Sequence, residues 1–174
     1  MLGDLPMEKY VILGGKKLYG DVYISGCKNA VGAIIPATVL VKGSCIIENV
    51  PELRDVNGLL DILENIGAVI TFLDKTTVKI DCTDIKSYVE DYDAVRKMRS
   101  SYYLIGALLG RFSATKVGLP GGCDFGVRPI DQHIKGFEAL GAEVVIEHGV
   151  VNAHAEKLAG AQVYLDVRLS LIHI

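Results

Sequence analysis

Leu59 to Ile70 reads LLDILENIGAVI, and His133 to Ile146 reads HIKGFEALGAEVVI. Each stretch is a helical apolar face that stops at Gly-Ala and enters a strand. Around the first copy, Val56, Leu59, Leu60, Leu63 and Ile66 recur at helical spacing and form one stripe. Asp55 is placed to cap that helix and Gly67 to end it. Ala68 to Leu73 and Thr77 to Asp81 then read as a hairpin across Asp74-Lys75-Thr76. Around the second copy, a helix from Pro129 carries Ile130, Ile134, Phe137 and Leu140 on one face and ends at Gly141. Ala142 to Glu147 and Val150 to Ala155 follow as strands about the turn His148-Gly149. The same order of signals twice predicts an internal repeat of a β-α-β-α-β-β unit, an α/β chain of the α+β kind.

Upstream, Tyr10 to Leu13 and Leu18 to Ser25 read as strands about Gly14-Gly15, after a loose leader. Gly26-Cys27-Lys28-Asn29 breaks the second strand. Ala30 to Val41 is apolar almost all round, which predicts a buried helix, kinked or shifted in its start by Pro36. Ser44 to Val50 reads as a short strand. Beyond the first hairpin, Thr83 to Tyr92 is a polar connector. Ala94 to Arg111 reads as a helix with Asp93 as its cap, and Thr115 to Leu119 as a strand. A third unit opens at Val163 to Val167. Arg168 to Ile174, RLSLIHI, carries no cap and no turn signal. The expectation is an unfinished copy of a longer protein with a non-native tail at 168–174.

The 174 residues suit one domain or a piece of a larger one. Half are hydrophobic and 22% charged, which supports a core and argues against disorder. A net charge of −3 argues against a general nucleic-acid binder. No apolar run is long enough to span a membrane, and the first residues carry no secretory pattern. Cys27, Cys45, Cys82 and Cys123 form no CxxC pair and complete no zinc spacing with histidine. No metal or cofactor is expected, and the thiols suit a reducing cytoplasm. Cys45 and Cys82 fall in strands and read as small core residues.

The loop Pro120-Gly121-Gly122-Cys123-Asp124-Phe125-Gly126-Val127-Arg128-Pro129 carries the chemistry. Its glycines permit unusual backbone angles. Cys123 can donate a proton or attack, Arg128 offers a fork of donors, and the helix start behind offers free N–H groups. Together they suit a phosphate or carboxylate; the alternative is a surface turn with a bystander thiol. Lys28 and Asn29 sit at a strand-to-helix junction suited to a phosphate, or form a solvated polar turn. No Walker pattern can be written there. Arg96, Arg99, Ser100 and Tyr103 share one helix face, an anion site or a solvated surface, while Val95, Met98, Tyr102 and Ile105 take another. Asp131 favours the positive end of its helix, and His133 pairs with a substrate or faces water.

ISGCKNA at Ile24 to Ala30, VRKMRSSYYLIGALLGRF at Val95 to Phe112, and LPGGCDFGVRPIDQHIKGFEALGA at Leu119 to Ala142 resemble the UDP-N-acetylglucosamine 1-carboxyvinyltransferases. The resemblance runs from Glu8 to Val167. It implies transfer of the enolpyruvyl group of phosphoenolpyruvate to the 3′-hydroxyl of UDP-N-acetylglucosamine, with loss of phosphate, in peptidoglycan synthesis. It implies that Lys28 and Asn29 contact phosphoenolpyruvate and that Arg99 contacts the sugar nucleotide. Cys123 is implied as proton donor to the enol methylene and as the site alkylated by fosfomycin. Arg128, Pro129, Ile130, Asp131 and Gln132 are implied as substrate contacts, with Arg96 and His133 as further candidates. The family fold is an inside-out barrel of two domains, each of three units. Residues 1–21 are then a hairpin belonging to the other domain, and 22–167 an incomplete domain of two units and the start of a third.

The resemblance further implies that the general base and another phosphoenolpyruvate-binding arginine lie in a C-terminal portion outside this sequence, so the chain alone is expected not to turn over. Cys27 departs from the alanine usual in the family. The competing readings are a transferase of the 5-enolpyruvylshikimate-3-phosphate synthase type, from which the Cys123 loop and CKNA point away, and a non-catalytic module that binds a nucleotide or another subunit.

Overall fold

The computed structural model describes residues 11–86, 95, 99–119 and 130–165. In chain order the first unit holds α1 (Lys28–Ala37), a 3-10 turn (Thr38–Leu40), β1 (Ser44–Ile47), α2 (Arg54–Asn65), β2 (Val69–Phe72) and β3 (Val78–Asp81). The second holds a 3-10 turn (Arg99–Tyr102), α3 (Tyr103–Phe112), β4 (Ala114–Gly118), α4 (Asp131–Ala139), β5 (Glu143–Glu147) and β6 (Val150–His154). Each unit builds an antiparallel sheet with its third strand in the middle, in the orders β1-β3-β2 and β4-β6-β5. The register pairs Cys45 with Ile80 in the first sheet and Thr115 with Ala153 in the second.

The repeat extends to single hydrogen bonds. At the end of α2, Gly67 N–H donates to Glu64 O (2.9 Å) and Ala68 N–H to Leu63 O (2.9 Å). At the end of α4, Gly141 N–H donates to Glu138 O (2.9 Å) and Ala142 N–H to Phe137 O (3.0 Å). Both are the paired bonds of a Schellman ending, which needs a left-handed residue next to the cap. Gly67 and Gly141 supply it at φ +105° and +97°. The chain then returns past each glycine after the third strand: Lys86 N–H donates to Ile66 O (2.7 Å), and Ala159 N–H to Leu140 O (2.9 Å). Cys82 N–H to Gly43 O (2.9 Å) and Ala155 N–H to Ser113 O (2.8 Å) are a further matched pair. In the second hairpin His148 (φ 53°) and Gly149 (φ 77°) form the tight turn.

One core joins the two units. The expected stripe of α2, Val56, Leu59, Leu60, Leu63 and Ile66, is buried, with Ile62 beside it. It packs with Val31, Ile35 and Val39, with Val78 and Ile80 of β3, and with Leu104, Ile105 and Leu108 of α3. Burying each such side chain contributes roughly 1.5–3 kcal/mol. A smaller cluster of Leu109, Ala142, Ala153 and Ala155 lies under Phe137, Val144 and Leu158. Close helix approaches rest on small residues. A Cβ on Gly106 would lie 3.4 Å from the Phe137 ring, and one on Gly110 3.1 Å from Leu40 Cδ2. Arg111 ties the units together, donating to Val39 O (2.9 Å), Val41 O (3.2 Å) and Thr83 O (3.0 Å).

Several expectations are corrected. No strand forms at residues 11–13 or Leu18 to Ser25; this segment is without regular structure and exposed, and a strand needs a hydrogen-bonded neighbour that neither sheet supplies. The unit among the described residues therefore starts at its first helix. That helix begins at Lys28, two residues before Ala30, and Pro36 falls in its last turn before the 3-10 geometry of Thr38–Leu40. It is buried on one face only: Val31, Gly32, Ile35 and Pro36 face the core, while Ile34 is exposed. Asp55 is not the cap of α2. Leu53 holds that position without a side-chain bond, and Asp55 lies in the first turn. In the expected helix from Ala94 to Arg111, Val95 is helical, Arg99–Tyr102 is a 3-10 turn, and an α-helix again runs from Tyr103 to Phe112. Asp93 and Ala94 lie outside the described residues, and the expected third unit shows no strand at 163–165.

Candidate functional site

Lys28 is the first residue of α1, and Asn29 the second; Cys27 precedes them in extended geometry (φ −78°, ψ 119°). Both Lys28 and Asn29 are exposed. The Lys28 ammonium forms a salt bridge with the Asp55 carboxylate, in the first turn of α2. The starts of α1 and α2 are thus held side by side, each with N–H groups that its own helix cannot pair. One turn along α1, Gly32 lies against Ser100; a Cβ added there would be 3.7 Å from the Ser100 Cβ. The 3-10 turn that begins at Arg99 therefore packs next to the Lys28 helix.

The start of α4 meets the same turn through Tyr102. Ile130 is its N-cap and is buried. Asp131, the first helical residue, accepts a hydrogen bond from the Gln132 amide (Nε2 to Oδ2, 3.0 Å). His133 is exposed, and its ring meets Tyr102 edge-on, with centroids 5.0 Å apart. Tyr102 and Tyr103 rings are 4.6 Å apart and tilted. Of the residues singled out in the sequence, Lys28, Asn29, the Arg99 turn, Ile130, Asp131, Gln132 and His133 thus belong to elements joined through Gly32–Ser100 and Tyr102–His133. Arg96, Cys123, Arg128 and Pro129 lie outside the described residues.

Three contributors escaped the sequence reading. Asp55 is the ionic partner of Lys28 rather than a cap. Tyr102, assigned to an apolar face, presents its ring to His133. Gly26, read as a strand break, sits where a Cβ would lie 1.8 Å from Asn49 O. The signal for Gly26 was its place two residues before Lys28, but its neighbour at Asn49 is fixed only by the fold.

Of the two cysteines expected in the core, only Cys82 lies there. Cys82 is buried, and burial pushes its thiol above the ordinary value, partly offset by the Thr38 hydroxyl 3.7 Å away. Cys27 is exposed and Cys45 half-buried. Among the described residues no group of three or more His, Cys, Asp or Glu is arranged to hold a metal ion. No helix among them is long and apolar enough to cross a membrane.

Two solved structures share this architecture. The enolpyruvyl transferase NikO from Streptomyces tendae superposes with a TM-score of 0.68 at 23% identity, covering 83% of this chain and 32% of that one. EPSP synthase from Acinetobacter baumannii gives 0.62 at 19% identity, covering 87% and 35%. The two-unit α+β fold is therefore one seen in enolpyruvyl transferases. Residues 12–170 match the EPSP synthase family, 3-phosphoshikimate 1-carboxyvinyltransferase, and the chain belongs to that family.

Among curated relatives, it is 54% identical over 162 residues to a UDP-N-acetylglucosamine 1-carboxyvinyltransferase of Clostridium botulinum. It is 52% identical over 161 residues to UDP-N-acetylglucosamine 1-carboxyvinyltransferase 2 of Bacillus subtilis. These matches cover 92% of the chain and 39% and 37% of the two relatives, so the chain spans well under half their length.

Proposed function

We propose that this chain supplies part of the active site of an enolpyruvyl transferase that joins phosphoenolpyruvate to the 3′-hydroxyl of UDP-N-acetylglucosamine, in the cytoplasm and in peptidoglycan synthesis. The observation that carries the reading is the Lys28 junction. An exposed ammonium stands at the adjoining starts of two helices, in a chain half identical to transferases of that name. Phosphoenolpyruvate carries a phosphate and a carboxylate, and a cation beside unpaired helix N–H groups suits such anions.

In this reading Lys28 and Asn29 hold phosphoenolpyruvate, and Arg99 and the segment Arg128, Pro129, Ile130, Asp131 and Gln132 hold the substrates, with Arg96 and His133 beside them. Cys123 gives its proton to the methylene carbon, building positive character on the adjacent carbon. The 3′-oxygen of the acceptor bonds to that carbon as its own proton passes to a base. Loss of phosphate and of a methyl proton then restores the double bond. The base and a further arginine come from sequence beyond this chain, so the chain by itself shows no turnover. Residues 1–21 belong with that second domain.

The family's description, 3-phosphoshikimate 1-carboxyvinyltransferase, suggests a second acceptor, a shikimate phosphate. Acceptor preference separates the two. The direct test is alkylation by fosfomycin, mapped by mass spectrometry. Labelling of Cys123 ahead of the exposed Cys27, accelerated by UDP-N-acetylglucosamine, supports the reading. Labelling of Cys123 no faster than that of the exposed Cys27, and unchanged by UDP-N-acetylglucosamine, contradicts it and favours a non-catalytic binding module.

A further inference from the structure

The backbone at Gly26 passes so close to Asn49 that a Cβ there would lie 1.8 Å from the Asn49 carbonyl oxygen and 3.1 Å from Pro51 Cδ. Nothing in the local conformation of Gly26 demands glycine; the approach does. The opposing loop is itself fixed. Asn49 is left-handed (φ 56°), Val50 is buried, and Val50 N–H donates to Thr76 O (2.7 Å). Thr76 in turn donates its N–H to the Asp74 carboxylate (2.7 Å). Two residues after Gly26 comes Lys28, whose ammonium is paired with Asp55. The ammonium is thus located from both ends of its residue: by the seat under the backbone and by the carboxylate at its tip.

We infer that Gly26 and Asp55 are positioning residues for Lys28: Gly26, seated on the Asn49–Pro51 loop, sets where the lysine backbone starts, and Asp55 sets where its ammonium points. The inference rests on the proposed contact between Lys28 and phosphoenolpyruvate. An exposed ion pair adds little to stability. A lysine has four rotatable bonds, and an unrestrained ammonium would sample far more space than a bound phosphate requires. A misplacement of about 1 Å in a catalytic constellation costs on the order of a hundred-fold in rate. A bulkier residue at 26 must push the junction away from Asn49, because the obstacle is backbone and cannot rotate aside.

The test uses the chain extended to the length of its relatives, with Asp55→Asn, Asp55→Glu, Gly26→Ala and Lys28→Ala variants. The expectation is that Asp55→Asn and Gly26→Ala lower kcat/KM for phosphoenolpyruvate by about ten-fold or more. Asp55→Glu recovers most of the loss, and Asp55→Asn leaves the midpoint of thermal unfolding within about 2 °C of the parent. A pH profile that keeps its shape in Asp55→Asn while its height falls fits positioning, since no proton then passes through that carboxylate. Parental kcat/KM in Asp55→Asn while Lys28→Ala is impaired overturns this inference alone. Parental kcat/KM in Lys28→Ala overturns the role of Lys28 on which it rests. Gly26→Ala is the variant at risk of not folding, and Asp55→Asn decides the matter without it.

Discussion

The ammonium of Lys28, first residue of α1, is paired with the carboxylate of Asp55 in the first turn of α2. Lys28 is 59% exposed and Asp55 48%, so water screens the attraction. A double-mutant cycle of Lys28→Ala and Asp55→Ala, read by urea unfolding, is expected to give a coupling of about 0.2–1 kcal/mol. A coupling well above that range would make the pair a stability element rather than a positioning one.

Gly67 and Gly141 do the same work in the two units, and their replacement should cost in proportion to local crowding. Both have positive φ, which costs an L-residue roughly 1–2 kcal/mol. A Cβ at Gly67 would lie 3.0 Å from Asp84 O, and one at Gly141 3.2 Å from Lys157 O. Chemical unfolding of Gly67→Ala and Gly141→Ala should show both destabilised, with Gly67→Ala the worse. Reversal of that order would mean that the return strands yield differently from their spacing.

The repeat was legible because these signals are local. A helix face, a terminating Gly-Ala and a following strand all lie within the fourteen residues from His133 to Ile146, and again from Leu59 to Ile70. The strand at Leu18 to Ser25 was misread because alternation reports a preference for extended backbone, whereas a strand also requires a partner. Asp55 satisfied the rule for a cap, yet a lysine 27 positions earlier in sequence took its carboxylate. The links Gly32–Ser100, Tyr102–His133 and Gly26–Asn49 join distant positions, and no periodicity announces them.

Arg111 illustrates the same limit, since its three acceptors lie 28 to 72 residues away. Its guanidinium also stacks over Phe112, 5.1 Å from the ring centroid. Arg111→Met keeps much of the apolar stem but leaves the carbonyls of Val39, Val41 and Thr83 without these bonds. The expected loss is about 1.5–3 kcal/mol, measured by denaturant unfolding, with Arg111→Lys intermediate because it lacks the planar fork. A neutral Arg111→Met would show that water replaces the clamp without cost.

Acid should act through the first sheet. The Ser44 hydroxyl, followed by Thr83, holds the Asp81 carboxyl down to about 2 from the ordinary 3.8. The folded-state value is depressed, so this contribution is complete above the unfolded value and disappears as pH falls through the folded one. Stability should therefore drop between roughly pH 4 and pH 2. Ser44→Ala should flatten that part of the profile, as followed by circular dichroism against urea at several pH values. An unchanged slope in Ser44→Ala would assign the acid sensitivity to other carboxylates.

The central claim is that this chain contributes one side of a shared enolpyruvyl-transfer site. It is tested most directly by phosphate release from phosphoenolpyruvate in the presence of UDP-N-acetylglucosamine, comparing the chain with a version extended to the length of its relatives. The account predicts release by the extended version only, slowed or abolished by Cys123→Ala. Release by the 174-residue chain alone would contradict the shared site, and silence from both would leave the family fold without this activity.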